Sequence, residues 1–355
     1  MRPSDTKSSI LPRAIHLQDP AWRELYEAAS ADPAQSGWTP FHHPALIAAV
    51  AAAHGLTPIT LGTFGDTRLN AALCVLTPEP GTPWPISACP FNGPMIRPTE
   101  ARYSARRDAF TSQHLVALMQ VLLEQKRWAH VRVPAGQFDP RALIAAGFRI
   151  TPSFTYEVPI APDLDALQQV LPDRRRQIRQ ATQKGVSVRE IQLDAEATAR
   201  HWGPRIHALH AEQSNRQALD ADTDANGFST LLVHGIGQSW LRLFIAETAE
   251  GTPCAFQITT VQAGIAANVL TGYTHSAPVG ANALLRTRVF GTLAKEGVKR
   301  FDLNGARPGD GGRFKASLGG RLVERWDIAP PKEATKPGSI RTRLRNRLWS
   351  LRRSR

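Results

Sequence analysis

The segment Phe301 to Gly320, FDLNGARPGDGGRFKASLGG, concentrates residue types that handle a charged ligand. A short strand pattern, Phe301 to Leu303, opens into a glycine-rich turn, where glycine permits tight backbone geometry beside a ligand. Asp302 alternates with apolar Phe301 and Leu303, as a candidate general base or a structural carboxylate. Arg313 and Lys315 flank Phe314, so an extended chain here places both cations on one face. Two such cations hold a phosphate or stabilise a developing oxyanion. A hairpin with charged outer positions is the plainer alternative.

A second cluster is Arg174, Arg175, Arg176 and Arg179, directly after Pro172. Proline suits the first turn of a helix, so the arginines fall where the helix dipole is already positive and backbone N–H groups lack partners. Asp173 offsets only part of that charge. A bound phosphate or pyrophosphate resolves the conflict; a solvated basic face is the alternative. A third feature is the run Ile265 to Gly297: an extended segment ending at Tyr273, a polar turn THSAPVG, then a helix from Ala281. Gly280 allows close backbone approach and Asn282 offers a donor, the general layout of a phosphate cradle. A simple connecting loop has the same pattern.

Several chemistries lose their main support. There is no HExxH, no paired Cys or His set for zinc, and no GxSxG elbow, P-loop or GxGxxG. His207 and His210 lie one helical turn apart without a clear third ligand. Cys74, Cys89 and Cys254 share no CxxC spacing, which argues against a disulfide scaffold and fits a reducing compartment.

These residues need a frame, and the chain is long enough for two domains of ordinary apolar content, with 355 residues and 42% hydrophobic. In the first half, the patterns predict helices over Asp19–Ala29, Pro44–His54 and Ser104–Lys126, and strands over Pro58–Phe64 and Leu69–Leu76 joined at Asp66-Thr67. A Pro- and Gly-rich loop over Thr77–Pro98, a strand over His130–Pro134 and a short helix from Pro140 complete that half. In the second half, strands are predicted over Tyr156–Ile160, Val186–Gln192, Arg300–Leu303 and Arg321–Ile328. Helices are predicted over Asp163–Val170, from Pro172 to Gly185, and over Ala195–Arg216, Gly227–Ile236 and Ala281–Lys295. A three-strand meander is expected over Trp240–Glu247, Pro253–Val261 and Ile265–Tyr273. Both halves read as α+β units, with a domain break near 150–155. The expected division is a 1–37 segment, domains over 38–152 and 153–330, and a tail over 331–355.

The net charge of +13 is uneven. The tail SIRTRLRNRLWSLRRSR, read as a helix, aligns Ile340, Leu344, Leu348 and Leu351 in an apolar stripe ringed by arginines. That is the pattern of a helix on an anionic membrane surface; an RNA contact or an unstructured basic tail are the alternatives. No apolar run spans a bilayer and the N-terminus lacks the core of a secretion signal. The expected location is the cytoplasm, with residues 340–355 as a peripheral contact on the inner face of the plasma membrane.

Taken in order, FHHPALIAAV, TYEVPI, LPDRRRQIRQATQKGVSV, GYTHSAPVGANALLRTRVFGTLAKEGVKRFDLNG and FKASLGG resemble the FemAB-like branch of the GNAT acyltransferase superfamily, over roughly residues 38 to 328. The resemblance implies two GNAT-like domains, each a mostly antiparallel mixed sheet flanked by helices. It implies transfer of an acyl or aminoacyl group to an amine of a peptidoglycan precursor, polysaccharide or other envelope acceptor. The co-substrate is acyl-CoA or aminoacyl-tRNA, with tRNA and not DNA as the nucleic-acid partner. By the same resemblance Arg175, Ile178 and Arg179 meet phosphates, Phe314 and Lys315 form the terminal FK motif with Lys315 handling donor charge, and Tyr273 and Ala281 to Leu285 match the strand end and following helix. Tyr273, Phe314 and Asn304 are the expected pocket. The pyrophosphate loop of ordinary GNAT enzymes is not legible in THSAPVGAN, which leaves coenzyme A open. A non-catalytic membrane- or RNA-associated binding protein on the same fold is the rival reading.

Overall fold

The computed structural model describes residues 10–65, 67–78, 88–101, 104–125, 130–135, 138–161, 167–216, 223–306 and 309–331. Asp66 and the tail from 332 onward, with its expected membrane helix, lie outside the described residues.

In the N-terminal half, β1 (Arg13–Ala14), β2 (Thr57–Gly65), β3 (Arg68–Thr77) and β4 (Met95–Ile96) form one antiparallel sheet in that order. Helix α1 (Pro20–Ala31) starts where Asp19 accepts a hydrogen bond from the Ala21 N–H at 2.8 Å, with Pro20 in its first turn. A short α2 (Pro33–Ser36) and a 3-10 turn (Pro40–His42) lead to α3 (Pro44–His54), which Gly55 closes with φ 60. Helix α4 (Ser104–Glu124) turns Leu115, Leu118, Met119 and Leu122 inward, the stripe that its sequence shows.

The second sheet has eight strands. They are β5 (Val131–Pro134), β6 (Arg149–Pro159), β7 (Ser187–Ile191), β8 (Leu241–Glu247), β9 (Pro253–Gln262), β10 (Ile265–Tyr273), β11 (Arg300–Asp302) and β12 (Arg321–Ala329), in the order β5-β12-β6-β11-β10-β9-β8-β7. All neighbours are antiparallel except β10 and β11, which are parallel. The helices, after α5 (Pro140–Ala145), are α6 (Pro172–Gln183), α7 (Glu196–Arg216), α8 (Ala225–His234), α9 (Ala281–Lys295) and α10 (Asp310–Ser317).

The two halves are interlocked. Strand β5, from the N-terminal half, adds to the second sheet beside β12, where Arg132 grips Asp327 through Nε and Nη2 at 2.6 and 2.9 Å. Strand β6 runs unbroken through residues 152 and 153, where the sequence places a domain boundary. A single apolar cluster joins Trp22 and Phe41 of the first half to Trp202, Phe228 and Trp240 of the second. A second cluster fills the space between the other face of the large sheet and helices α6 and α9. Of the helix expected over 163–170, residues 163–166 lie outside the described residues and 167–170 form turn and bend, not helix.

Three histidines are built into this interior as neutral rings. The imidazole of His42 accepts from the Thr39 N–H at 2.9 Å and donates through Nε2 to the Gly93 carbonyl at 2.8 Å. His43 stacks on Trp240, and His114 meets the Thr63 hydroxyl at 2.8 Å. Burial pulls all three from 6.5 to about 4. Between those values the unfolded chain holds more protons than the fold, so stability falls as pH drops, by up to about 1.4 kcal/mol per pH unit per histidine. The urea midpoint should therefore decline from about pH 7 to about pH 5, and less steeply in His114→Phe. Identical slopes for that variant and the parent would contradict the buried neutral state of His114.

Candidate active site

The large sheet opens at one place. Strand β11 pairs with β10 only through Ile265↔Arg300, Ala266↔Phe301 and Ala267↔Asp302, while β10 continues to Tyr273 beyond a register shift at Asn268/Leu270. The chain leaves β11 because Asn304 and Gly305 take left-handed conformations, φ 54 and 81. Among the described residues the remaining length of β10 has no strand neighbour on that side, and side chains serve its carbonyls instead. Asn304 Nδ2 donates to the Asn268 carbonyl at 3.3 Å and Arg216 Nη2 to the Tyr273 carbonyl at 2.8 Å. His210 Nδ1 lies 3.0 Å from the Thr271 carbonyl. Helix α7 crosses so closely at Gly272 that a Cβ there would lie 2.7 Å from the His210 nitrogen.

The turn that creates this opening is fixed on every side. Asp302 Oδ1 accepts from the Thr155 hydroxyl at 2.6 Å and from the Asn304 N–H at 2.7 Å, and Oδ2 pairs with Arg325 Nη2. Thr155 Oγ1 in turn accepts from the Gly305 N–H at 3.1 Å. Lys315 Nζ donates to the carbonyls of Asn304 and Gly305 at 2.5 and 2.8 Å. Both expected catalytic residues thus hold the turn: Asp302 has both oxygens engaged, and Lys315 clamps two successive carbonyls. Arg325 is 2% exposed, carries its charge over the Phe91 ring at 4.1 Å, and is lowered by burial more than Asp302 raises it.

The expectation of a strand over Arg313 to Lys315 is corrected: these residues form α10. Successive odd positions on a helix point apart rather than together, so Arg313 and Lys315 do not share a face. Arg313 is exposed, whereas Phe314 packs on the core that α6 and α9 cover. Three helices converge here. Arg174 of α6 lies 5.0 Å from the Phe314 ring centre and donates to the Ser317 hydroxyl at 3.1 Å. Arg175 is half-buried on the same helix and Arg179 is exposed. Gly280, φ 94, caps α9 against α6, and a Cβ there would sit 2.0 Å from the Gln177 carbonyl. Its freedom serves helix contact, and the next residue but one, Asn282, keeps a buried side-chain oxygen without a partner. Tyr273 stands at the open end of β10 with Arg216 stacked 4.4 Å from its ring centre.

Sequence reasoning passed over Arg286 and Arg325. Arg286 is 3% exposed and donates to Asn268 Oδ1 at 2.7 Å and to Thr271 Oγ1 at 2.9 Å. The signal was present, since Arg286 falls on the apolar stripe Ala283, Phe290, Leu293 at helical spacing. A separate open cavity of about 550 Å³ lies between the start of α7 and the β8–β9 turn, lined by Arg189, Trp202, Arg205 and Glu247, and none of the expected site residues borders it. Among the described residues no His, Cys, Asp or Glu cluster fits a metal, and no helix is long and apolar enough to cross a membrane.

Comparison with known proteins decides the class. The family model for an acetyltransferase (GNAT) domain matches residues 172–315. Over those residues the chain is similar to a GNAT acetyltransferase domain. The match takes in α6, the open edge of β10, α9, the pinned turn and Lys315. The described part of the chain has the tandem GNAT fold: it superposes on FemX with a TM-score of 0.60 at 12% identity, over 89% of this chain and 96% of that one. A tandem GNAT protein from the clavulanic acid biosynthesis pathway gives 0.55 at 14% identity, over 90% and 97%. The C-terminal domain of a putative lysylphosphatidylglycerol synthetase from Agrobacterium fabrum gives 0.53 at 13% identity, over 88% and 94%. No curated protein matches the sequence. The chain thus carries a segment similar to a GNAT acetyltransferase domain within a fold shared with FemX and tandem GNAT proteins.

Asp302→Asn should cost about 3–5 kcal/mol in chemical unfolding, because it leaves Arg325 buried without a counter-charge. Lys315→Met should cost less, about 1–3 kcal/mol, and should loosen the 303–306 turn without unfolding the sheet. A loss for Asp302→Asn below that for Lys315→Met would contradict the pairing described.

Proposed function

We propose that this GNAT acyltransferase moves an acyl or aminoacyl group from an activated donor, acyl-CoA or aminoacyl-tRNA, onto an amine of a cell-envelope acceptor such as a peptidoglycan precursor, a polysaccharide or a lipid headgroup. The observation that carries the reading is the unpaired end of β10 beside the pinned turn, inside the segment that matches the acetyltransferase model. The names of FemX and of the lysylphosphatidylglycerol synthetase among proteins of the same fold support the aminoacyl and envelope side of it.

The chemistry asks little of the protein beyond positioning. The acceptor nitrogen attacks the donor carbonyl, a C–N bond forms, and the C–S or C–O bond to the donor breaks. The nitrogen's proton passes to water and the leaving thiolate or alkoxide takes one up. Asp302 is occupied by three donors, so it positions the turn rather than acting as the base. Lys315 holds the same turn from the other side. Arg175, Arg179 and Arg313 supply cationic charge for donor phosphates near the N-terminus of α9, and Asn282 offers its side chain there. Tyr273, Phe314 and Asn304 are the side chains we assign to substrate contact. The loop before α9 leaves the donor open, because the Cβ position of Gly280 faces α6 and not a phosphate.

Incubation of the protein with labelled acetyl-CoA or with a charged tRNA pool, each with amine acceptors, should give acceptor-borne label from one of the two donors. Arg175→Ala/Arg179→Ala should raise the donor KM about tenfold or more with the fold intact, the loss of one or two charge-assisted contacts. Binding of neither donor would favour the rival, a non-catalytic membrane- or RNA-associated protein.

A further inference from the structure

Arg286 is a buried cation without a counter-charge. Its guanidinium reaches β10 from α9, and both Nη groups bond neutral oxygens, on Asn268 and Thr271. Its Nε has no partner at all. Among the described residues no carboxylate pairs with it, unlike Arg325 with Asp302, Arg242 with Glu190 and Glu296, or Arg132 with Asp327. Burial alone acts on it and pulls it down to about 9. A charge held in this way costs the fold free energy, and leucine or methionine at that point of the apolar stripe would cost none. The location is specific: Asn268 borders the register shift of β10 and Thr271 lies just beyond it, along the length that β11 leaves unpaired. On the facing strand β9, the fully buried Gln257, which lies opposite Thr271, keeps its side-chain oxygen unpartnered.

We propose that Arg286 is a specificity-determining residue that receives a carboxylate carried by one of the two substrates meeting at the open edge of β10. The inference rests on the acyl-transfer reading of that edge. The carboxylate completes the guanidinium through its Nε and a second N–H of an Nη, as a charge-assisted pair away from bulk water. Asn268 and Thr271 fix the guanidinium plane in advance, so little ordering is needed on binding. A carboxylate of this kind arrives either at the far end of a dicarboxylic acyl group on the donor or as the α-carboxylate of an amino-acid acceptor.

The test uses the full chain and binding rather than turnover. Unfolding temperatures are read with succinyl-coenzyme A against acetyl-coenzyme A, and with alanine against alaninamide, for the parent, Arg286→Gln and Arg286→Lys. In the parent one pair should discriminate, the carboxylate-bearing member raising the midpoint by several degrees more than its neutral partner. Discrimination should vanish in Arg286→Gln and partly survive in Arg286→Lys. The first pair places the carboxylate on the donor and the second on the acceptor. Without ligand, Arg286→Gln should unfold at the parent's temperature or above it, since it removes an uncompensated charge. A marked fall instead would make Arg286 a structural residue and overturn the proposal, as would equal stabilisation by both members of each pair in the parent. Failure of the acyl-transfer reading looks different: neither coenzyme A thioester nor charged tRNA then binds at all.

Discussion

The turn after β11 governs this structure. Three residues into the strand the chain must leave the sheet, and it does so through left-handed backbone at Asn304 and Gly305. For asparagine that conformation is sparsely populated and persists only where neighbours over-determine it. Here they do, because Asp302, Thr155 and Lys315 hold both N–H and both carbonyl groups involved. The carboxylate at the centre is itself fixed by the buried Arg325, which β12 supplies and which Phe91 of the N-terminal half covers. The turn therefore depends on strands distant in sequence and on both halves of the chain.

What the turn creates is an absence. With β11 directed away, the last residues of β10 have no strand on that side among the described residues, and their carbonyls are served by side chains of the turn after β11 and of α7. Under the proposed function this edge, held by side-chain donors rather than by a strand ladder, is where substrate is received. The helices arranged around it carry the charge: α6 with its arginines, α9 with its N-terminus, and α10. The close approach of Gly280 to the α6 backbone brings these helices together, and a side chain at that position would push them apart.

The frame was largely legible from the sequence, and the site only in part. Helices α3 and α9 have the bounds that their Pro, Gly and apolar spacing predict, and the β8–β10 meander and basic α6 stand where the patterns place them. These are local signals. The pairing of β5 with β12 joins residues almost two hundred positions apart, and no local pattern encodes it. The helix at Arg313 to Lys315 was hidden by Gly311 and Gly312, which weaken helical propensity and read as turn. Asp302 and Lys315 drew attention for their chemistry, whereas their partners, Thr155, Arg325 and two backbone carbonyls, became visible only once folding brought them together. Arg286 was legible as an arginine in an apolar stripe, but its missing counter-charge is a property of the folded neighbourhood alone.

Amide hydrogen exchange, measured with and without the donor that supports transfer, tests the central claim most directly. Donor bound at the open edge of β10 should slow exchange over residues 268–273 and 303–306, and leave the start of α7 and the β8–β9 turn unchanged. Protection confined to the cavity around Trp202 and Arg205, with residues 268–273 and 303–306 unaltered, would contradict the account.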